Sequence, residues 1–368
     1  YENLIINENK QDGAHRTIMH FSYDCAPEQL YDQNLISQSK ATMSDSQFDR
    51  EFNAIFTDDS SGYFKVSKMA ACTIPDGEGQ SVEVKGHKND EYILSFDPSW
   101  SESESSDDFA MMLIKINRNE RKGTVVHSYA LSGANLKVHI KYMAYLLTHF
   151  NIVAVVGDYN GGVQFMNSCN ESTIFKDKNL KLETIEAELD KLADYEKNLR
   201  RLRNQYNKSN KKFVFLRKPS SQWIRLANES LQSAFDRKKI LFAGAAMNDD
   251  YNIQRKYRIG VKDLKFIRND SNESSSEAAR MIDLVEHQKD MMDLVKVQCA
   301  LVQITTSAQG TQSFDLPPNL RKQKGADKAR KDSYSALVLG NWMMNVYYDM
   351  QTSGDIAEQQ TFTPMFIS

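Results

Sequence analysis

The chain has 368 residues, with 46 Lys+Arg against 49 Asp+Glu for a formal net charge of −3, and it is 40% hydrophobic and 26% charged. This is the make-up of an ordinary globular protein long enough for two or more domains, and no apolar run approaches the ~18 residues of a membrane span. Cysteines at 25, 72, 169 and 299 lie far apart without a CxxC pair, which argues against a disulfide scaffold or zinc site and for a reducing cytoplasm.

The chain opens at Tyr1 without Met and without a charged-then-apolar targeting segment, as expected of a piece of something longer or a processed product. Residues 1–86 read as irregular. Their clearest signal is a helix opening at Ser44, where Ser44-x-x-Gln47 has the form of a capping box. Phe48, Phe52 and Phe56 follow at i, i+4 and i+8, on one helical face. Asp76-Gly-Glu-Gly79 marks a linker or hairpin tip.

From about residue 88 the pattern alternates. Apolar runs at 92–96, 109–116 and 124–130 predict three strands, and Leu136, Ile140, Met143 and Leu147 predict a helix. Residues 152–156 predict a fourth strand, ending at Gly157-Asp158. Three strands, then helix, strand and helix, imply an α/β fold: a mixed sheet covered by helices. Leu182, Ile185, Leu189, Leu192, Tyr195, Leu199, Leu202 and Tyr206 are spaced by three or four, which predicts one long helix over 180–206. Its stripe suits either a core face or a coiled-coil partner. A strand at 211–216, a helix from Ser220 to Arg237 and a short strand at 240–243 come next. A polar low-complexity loop at 268–277 precedes a helix over 278–297. A hairpin is expected around Gly310, then a basic loop and a last helix from Asp332 to about Tyr348.

No GxxxxGK[ST] phosphate loop, GxSxG elbow or HExxH helix occurs, and the seven histidines show no metal-ligand spacing. Acids at the ends of apolar elements are more informative. Asp97 ends the first strand, Asp158 ends the fourth and Asp332 opens the last helix. A carboxylate at the edge of an apolar sheet is costly unless its charge is compensated, and a divalent cation does that well. If the first and fourth strands are neighbours, Asp97 and Asp158 lie side by side, and two like charges that close require a cation between them. Each acid also has a plainer reading, as a turn, a loop and an N-cap. Together they point to a metal-binding carboxylate cluster.

Four stretches carry a resemblance: Tyr92-Ile-Leu-Ser-Phe-Asp97-Pro-Ser, Asp107-Asp108-Phe-Ala-Met, Val153-Ala-Val-Val-Gly-Asp158-Tyr-Asn-Gly-Gly and Lys331-Asp332-Ser-Tyr-Ser-Ala336-Leu. Together they resemble the nuclease domain of tailed-phage terminase large subunits. The resemblance implies an RNase H-like fold over 88–350, with a helical insertion at 180–210. It also implies that 1–87 is the end of an ATPase domain or linker, whose motor would lie before Tyr1, with 351–368 a tail. It assigns Asp97, Asp158 and Asp332 as ligands of two Mg2+ or Mn2+ ions, with Asp108 as a further acid near them. The implied activity is metal-dependent cutting of concatemeric double-stranded viral DNA during packaging, in the host cytoplasm, beside a portal protein and a small terminase subunit. The expected alternatives are a non-catalytic docking module of the motor, or another RNase H-like nuclease such as a resolvase or transposase.

The placement of charge qualifies the near-neutral total. Residues 197–218 hold nine bases and no acid, 237–265 eight bases and three acids, and 320–331 six bases and one acid. Such runs suit phosphate contacts or simply a solvated face. Arg321, Lys322, Lys324, Lys328, Arg330 and Lys331, next to Asp332, are the expected DNA-binding set. The acidic run at 101–108 has a solvated loop as its plainest reading.

Overall fold

The computed structural model describes residues 22–25, 27–30, 32–42, 48, 52–53, 62–101, 103, 106–185, 195–208, 212–244, 277–307, 311–323 and 328–352. By packing, the chain divides between residues 59 and 60 into two compact units. In the first, a helix, α1 (Gln33–Thr42), follows two short 3-10 turns. Tyr23 meets Phe48 and Phe52 edge-on, and those two rings stack at 4.8 Å. The aromatic stripe is thus seen for two of its three rings. Ser44, Gln47 and Phe56 lie outside the described residues.

The second unit is built on a seven-stranded sheet. Its strands are β1 (Glu91–Asp97), β2 (Phe109–Asn117), β3 (Lys122–Leu131), β4 (Ile152–Asp158), β5 (Leu182–Ile185), β6 (Lys212–Arg217) and β7 (Ile240–Phe242), in the order β5-β6-β4-β1-β2-β3-β7. β1, β2 and β3 form an antiparallel meander, while β4, β6, β5 and β7 join in parallel. This is the expected mixed sheet covered by helices. The central strands are apolar almost without interruption because helices cover both faces, so no solvent-facing alternation survives. A small hairpin of β8 (Gln303–Thr306) and β9 (Gln312–Asp315) stands apart from the sheet.

The helices are α2 (Val66–Ala71), α3 (Leu136–His149), α4 (Tyr159–Glu171), α5 (Thr173–Asp177), α6 (Tyr195–Lys208), α7 (Ser221–Asp236), α8 (Glu277–Leu301), α9 (Pro318–Arg321) and α10 (Asp332–Thr352). Two helices have visible caps: Ser220, the expected start, accepts from the Trp223 N–H, and Asn135 accepts from the Lys137 N–H. α10 crosses β1, β2 and β4, with α7 and α8 packed beside it. Residues 62–86 add to the same unit. Cys72, Val82 and Val84 are buried in its core, and isolated bridges join Thr73 to Phe242 and Ser81 to Gly244. All four cysteines are free. Among the described residues no helix is long and apolar enough to cross a membrane.

One expected element is corrected. Residues 180–206 do not form a single helix: Leu182 and Ile185 belong to β5, and among the described residues of the segment the helix is Tyr195–Lys208, with 186–194 outside them. The spacing of three or four came from two elements in succession. Leu199 and Leu202, on the buried side of α6, face the core, and α6 packs with α10. The segment is therefore the crossover joining parallel strands β5 and β6, which such strands require, rather than an appended coiled-coil arm.

Candidate active site

The pleat of β1 sorts its side chains between two layers. Tyr92 and Phe96 meet Phe150 and Phe165, on the side of α3 and α4. Ser95 and Asp97 point the other way: Ser95 lies under Gly340 of α10, and the Ser335 hydroxyl of α10 hydrogen-bonds Asp97. β4 lies parallel to β1 with Phe96 opposite Gly157. A Cβ on Gly157 would strike the Phe96 ring, so Gly157 shares the Phe96 layer and Asp158, one residue on, shares that of Asp97. The two acids end neighbouring parallel strands on one face, and Asp332 begins the helix that covers it.

Electrostatics tie the three together. Burial pushes the Asp97 carboxyl well above the usual carboxylate range. The like charges of Asp332 and Asp158 push it further, while the Ser335 hydrogen bond and Lys331 act against this. Burial raises Asp332 to about 6 against the hydrogen bond from the Asp108 N–H, and Asp107 and Asp108 add to the rise. Burial also raises Asp158, whose carboxylate caps α4 by accepting from the Asn160 N–H at 2.8 Å. A hard divalent cation suits this all-oxygen donor set and would relieve the cost of ionising it. As they stand, no three His, Cys, Asp or Glu side chains among the described residues are close enough to hold one.

Asp108 lies in the same corner by a different route. Its backbone N–H donates to Asp332 Oδ2 at 2.8 Å, while its own buried carboxylate pairs with Arg330 Nε at 3.3 Å. Burial nonetheless raises its carboxyl, Arg330 and Ser132 opposing. Arg330 also donates to the Ser106 carbonyl and the Ser132 hydroxyl. Lys328 pairs with Asp107 at 2.8 Å. The acidic run is therefore not simply a solvated loop: its last two residues hold the basic loop that precedes α10. Glu102 and Glu104 lie outside the described residues.

Most of the expected DNA-binding cations consequently have intramolecular acids. Arg321 and Lys331 both pair with Asp315, and Lys328 and Arg330 pair as above. Lys322 is exposed, and Lys324 lies outside the described residues. In the earlier basic run, Lys197, Arg200 and Arg201 are exposed, but Arg217 is not a surface cation. It is 6% exposed, with Trp223 and Trp342 centred 5.1 and 5.4 Å from its guanidinium carbon. A planar guanidinium between indole rings explains how a charge survives there. The third basic run lies mostly outside the described residues.

Two supporting residues gave no signal in the sequence. Gln298 of α8 is buried, and its Oε1 accepts from the backbone N–H groups of Ser333 and Tyr334 at 2.8 and 3.2 Å. It thereby caps the first turn of α10 from outside, which fixes the turn that carries Asp332. Ser335, one turn beyond Asp332, reaches Asp97. Both depend on contacts between segments distant in sequence, so no local pattern announces them.

No protein-family model matches the chain, and no curated protein matches it. Solved structures do resemble it. The large terminase nuclease of thermophilic phage G20c aligns at 10% identity over 75% of this chain and 95% of that one, with a TM-score of 0.40. Another structure of that nuclease contains magnesium. The chain is likewise similar, over 76% of its length and 98% of the other, to the nuclease domain of the large terminase subunit gp2 of bacterial virus Sf6, at 10% identity and a TM-score of 0.36.

Proposed function

We propose that this protein is a divalent-cation-dependent endonuclease that cuts double-stranded viral DNA during genome packaging. The observation that carries the reading is the placement of Asp97 and Asp158 on one face of the sheet, beneath the helix that Asp332 begins. Two of them end adjacent parallel strands, and the central one is burdened by the charge of the other two. The four motif stretches quoted above support the same assignment.

In this reading Asp97, Asp158 and Asp332 would hold two Mg2+ or Mn2+ ions, with Asp108 nearby. Divalent cations, when bound, supply positive charge for the scissile phosphate and for the leaving oxygen, and they make water acidic enough to attack at neutral pH. The chain's own residues do the positioning. Ser335 orients Asp97, the Asn160 N–H fixes Asp158, and the Asp108 N–H holds Oδ2 of Asp332. No histidine base is needed. DNA phosphates compete with Asp107 and Asp315 for the cations of residues 321–331, so binding weakens as salt rises. A portal protein and a small terminase subunit are the proposed partners in the assembled motor.

The test is plasmid nicking and linearisation in Mn2+ and in Mg2+. Asp158→Asn is expected to reduce cleavage to background while keeping a cooperative thermal transition. Cleavage at the unsubstituted rate would overturn the assignment. Calorimetry with Mn2+ separates this reading from a docking role, which predicts no cation binding.

A further inference from the structure

The edge of the sheet that carries Asp97 and Asp158 also exposes two aromatic rings that the cleavage chemistry does not use. Trp100 lies three residues beyond Asp97, Tyr159 directly follows Asp158, and each is 39% exposed. Val163, one helical turn beyond Tyr159, adds an exposed aliphatic side chain. Lys218, just past the end of β6, holds its ammonium over the Tyr159 ring, 6.0 Å from the centroid. β1, β4 and β6 are consecutive parallel neighbours, so these residues come together because three strands end at the same edge.

The backbone is shaped around this arrangement. α4 is kinked in its first turn, with Asn160 non-helical and Gly161 at φ +85°. A Cβ at Gly161 would run into the Trp100 indole nitrogen, and Pro98 crowds the same point. Glycine there both permits the left-handed turn and leaves the indole a seat against the main chain. Trp100 is therefore held in place, with a substantial part of its ring still facing water.

We infer that Trp100 and Tyr159 form a stacking platform for an unpaired nucleotide of the DNA strand at the carboxylate cluster, with Lys218 taking a neighbouring phosphate. Aromatic rings bind nucleotides through base faces, and in an intact duplex those faces are covered by adjacent base pairs. The platform therefore selects frayed, nicked or single-stranded DNA. An apolar protein partner would leave the flanking cation and the adjacent carboxylates without a role. This inference rests on the nuclease reading only in taking DNA as the ligand.

The chain contains three tryptophans, which makes the test direct. Trp223 and Trp342 pack around Arg217, so Trp100 is the exposed reporter. The full chain in EDTA is titrated with an oligo(dT) strand and, separately, with a blunt duplex. Indole fluorescence is followed, and affinity is measured by anisotropy of end-labelled DNA. The expected result is quenching by the single strand, weaker quenching by the duplex, and no quenching in Trp100→Phe, which keeps a ring and near-normal affinity. Trp100→Ala should bind the single strand about tenfold more weakly, the size of one lost stacking contact. Quenching that persists in Trp100→Phe, equal affinity in Trp100→Ala, or an equal response to duplex each overturns the platform. Cleavage in Mn2+ without a Trp100 response removes the platform and leaves the nuclease. A Trp100-dependent response without cleavage under any divalent cation does the reverse.

Discussion

The two ends of β1 each bury a carboxyl group, and they handle it in opposite ways. At the N-terminal end, the 1%-exposed Glu83 accepts from the Tyr92 hydroxyl at 2.5 Å, the Gln80 amide at 2.8 Å and Lys115 at 3.1 Å. Lys115 also pairs with Asp90 at 2.6 Å. Burial works against the charge on Lys115, but Asp90 and Glu83 together lift it above its ordinary value. Beside them His127 is fully buried and neutral, its ring nitrogens taken by the Glu83 carbonyl and the Tyr142 hydroxyl, both at 2.7 Å. At the C-terminal end Asp97 feels the charge of two more acids, against one lysine and the Ser335 hydrogen bond. The first end is satisfied from within, while among the described residues the second keeps an excess of negative charge that a cation from outside would compensate. The difference separates a structural polar cluster from a candidate reaction centre better than burial alone does.

The comparison can be broken most sharply at Asp158. Asp158→Asn should cost nearly all cleavage and almost no stability. A large loss of melting temperature would move the acidic end into the structural class. Acid unfolding gives the next largest effect. Burial lowers His127 and His139 to about 4 from an ordinary value of 6.5. The unfolded chain therefore binds more protons than the folded one between those limits, and stability falls as pH drops from 6.5 toward 4. The full effect is about 3 kcal/mol per group. Asp332 has the opposite sign: its carboxyl is raised, so its contribution is fully present below pH 3.8 and is lost as pH rises through about 6. Urea unfolding across pH 4–8 should show a steeper acid loss in Asp332→Asn than in the unsubstituted chain. An unchanged slope would refute the raised carboxyl.

Paired substitutions at the two ends test the contrast at about 2 kcal/mol. Glu83→Gln, which weakens a charged hydrogen-bond network, should destabilise by that amount. Asp332→Asn at pH 8 without metal should stabilise by a similar amount, because it removes a buried charge. Denaturant midpoints moving in the same direction would erase the distinction between the ends. The smallest effect is expected at Gln298. Gln298→Leu strips two N–H groups of their acceptor and should cost about 1 kcal/mol. It should also lower cleavage, with Gln298→Glu recovering both; full cleavage in the leucine variant would show that the cap does not position Asp332.

Much of the frame was legible in the chain. Uninterrupted apolar runs mark β1 to β4 because both faces of the sheet are covered, and Ser220 marks a helix start because a side-chain oxygen must satisfy a free N–H. The reading failed where periodicity was ambiguous. Leu182 and Ile185 share the spacing of a helix with the leucines beyond them, yet they lie in an edge strand. It also failed for Arg217, whose charge suggests a surface until the two tryptophans that flank it are seen. Of the site, the three acids were visible as strand and helix ends. Trp100, Ser335 and Gln298 were not, because nothing local distinguishes them.

The sequence by itself determined the apolar segments, their order and the acids that terminate them, since these follow from local pattern and the cost of exposed charge at an apolar edge. Only the tertiary structure decided that β1 and β4 are neighbours in a register that sets Phe96 against Gly157, and therefore that Asp97 and Asp158 share a face under α10. It also decided that Lys328 and Arg330 of the basic loop are already paired with Asp107 and Asp108, far away in the chain. Register, facing and pairing are properties of contacts between segments many residues apart, and no window along one segment contains them.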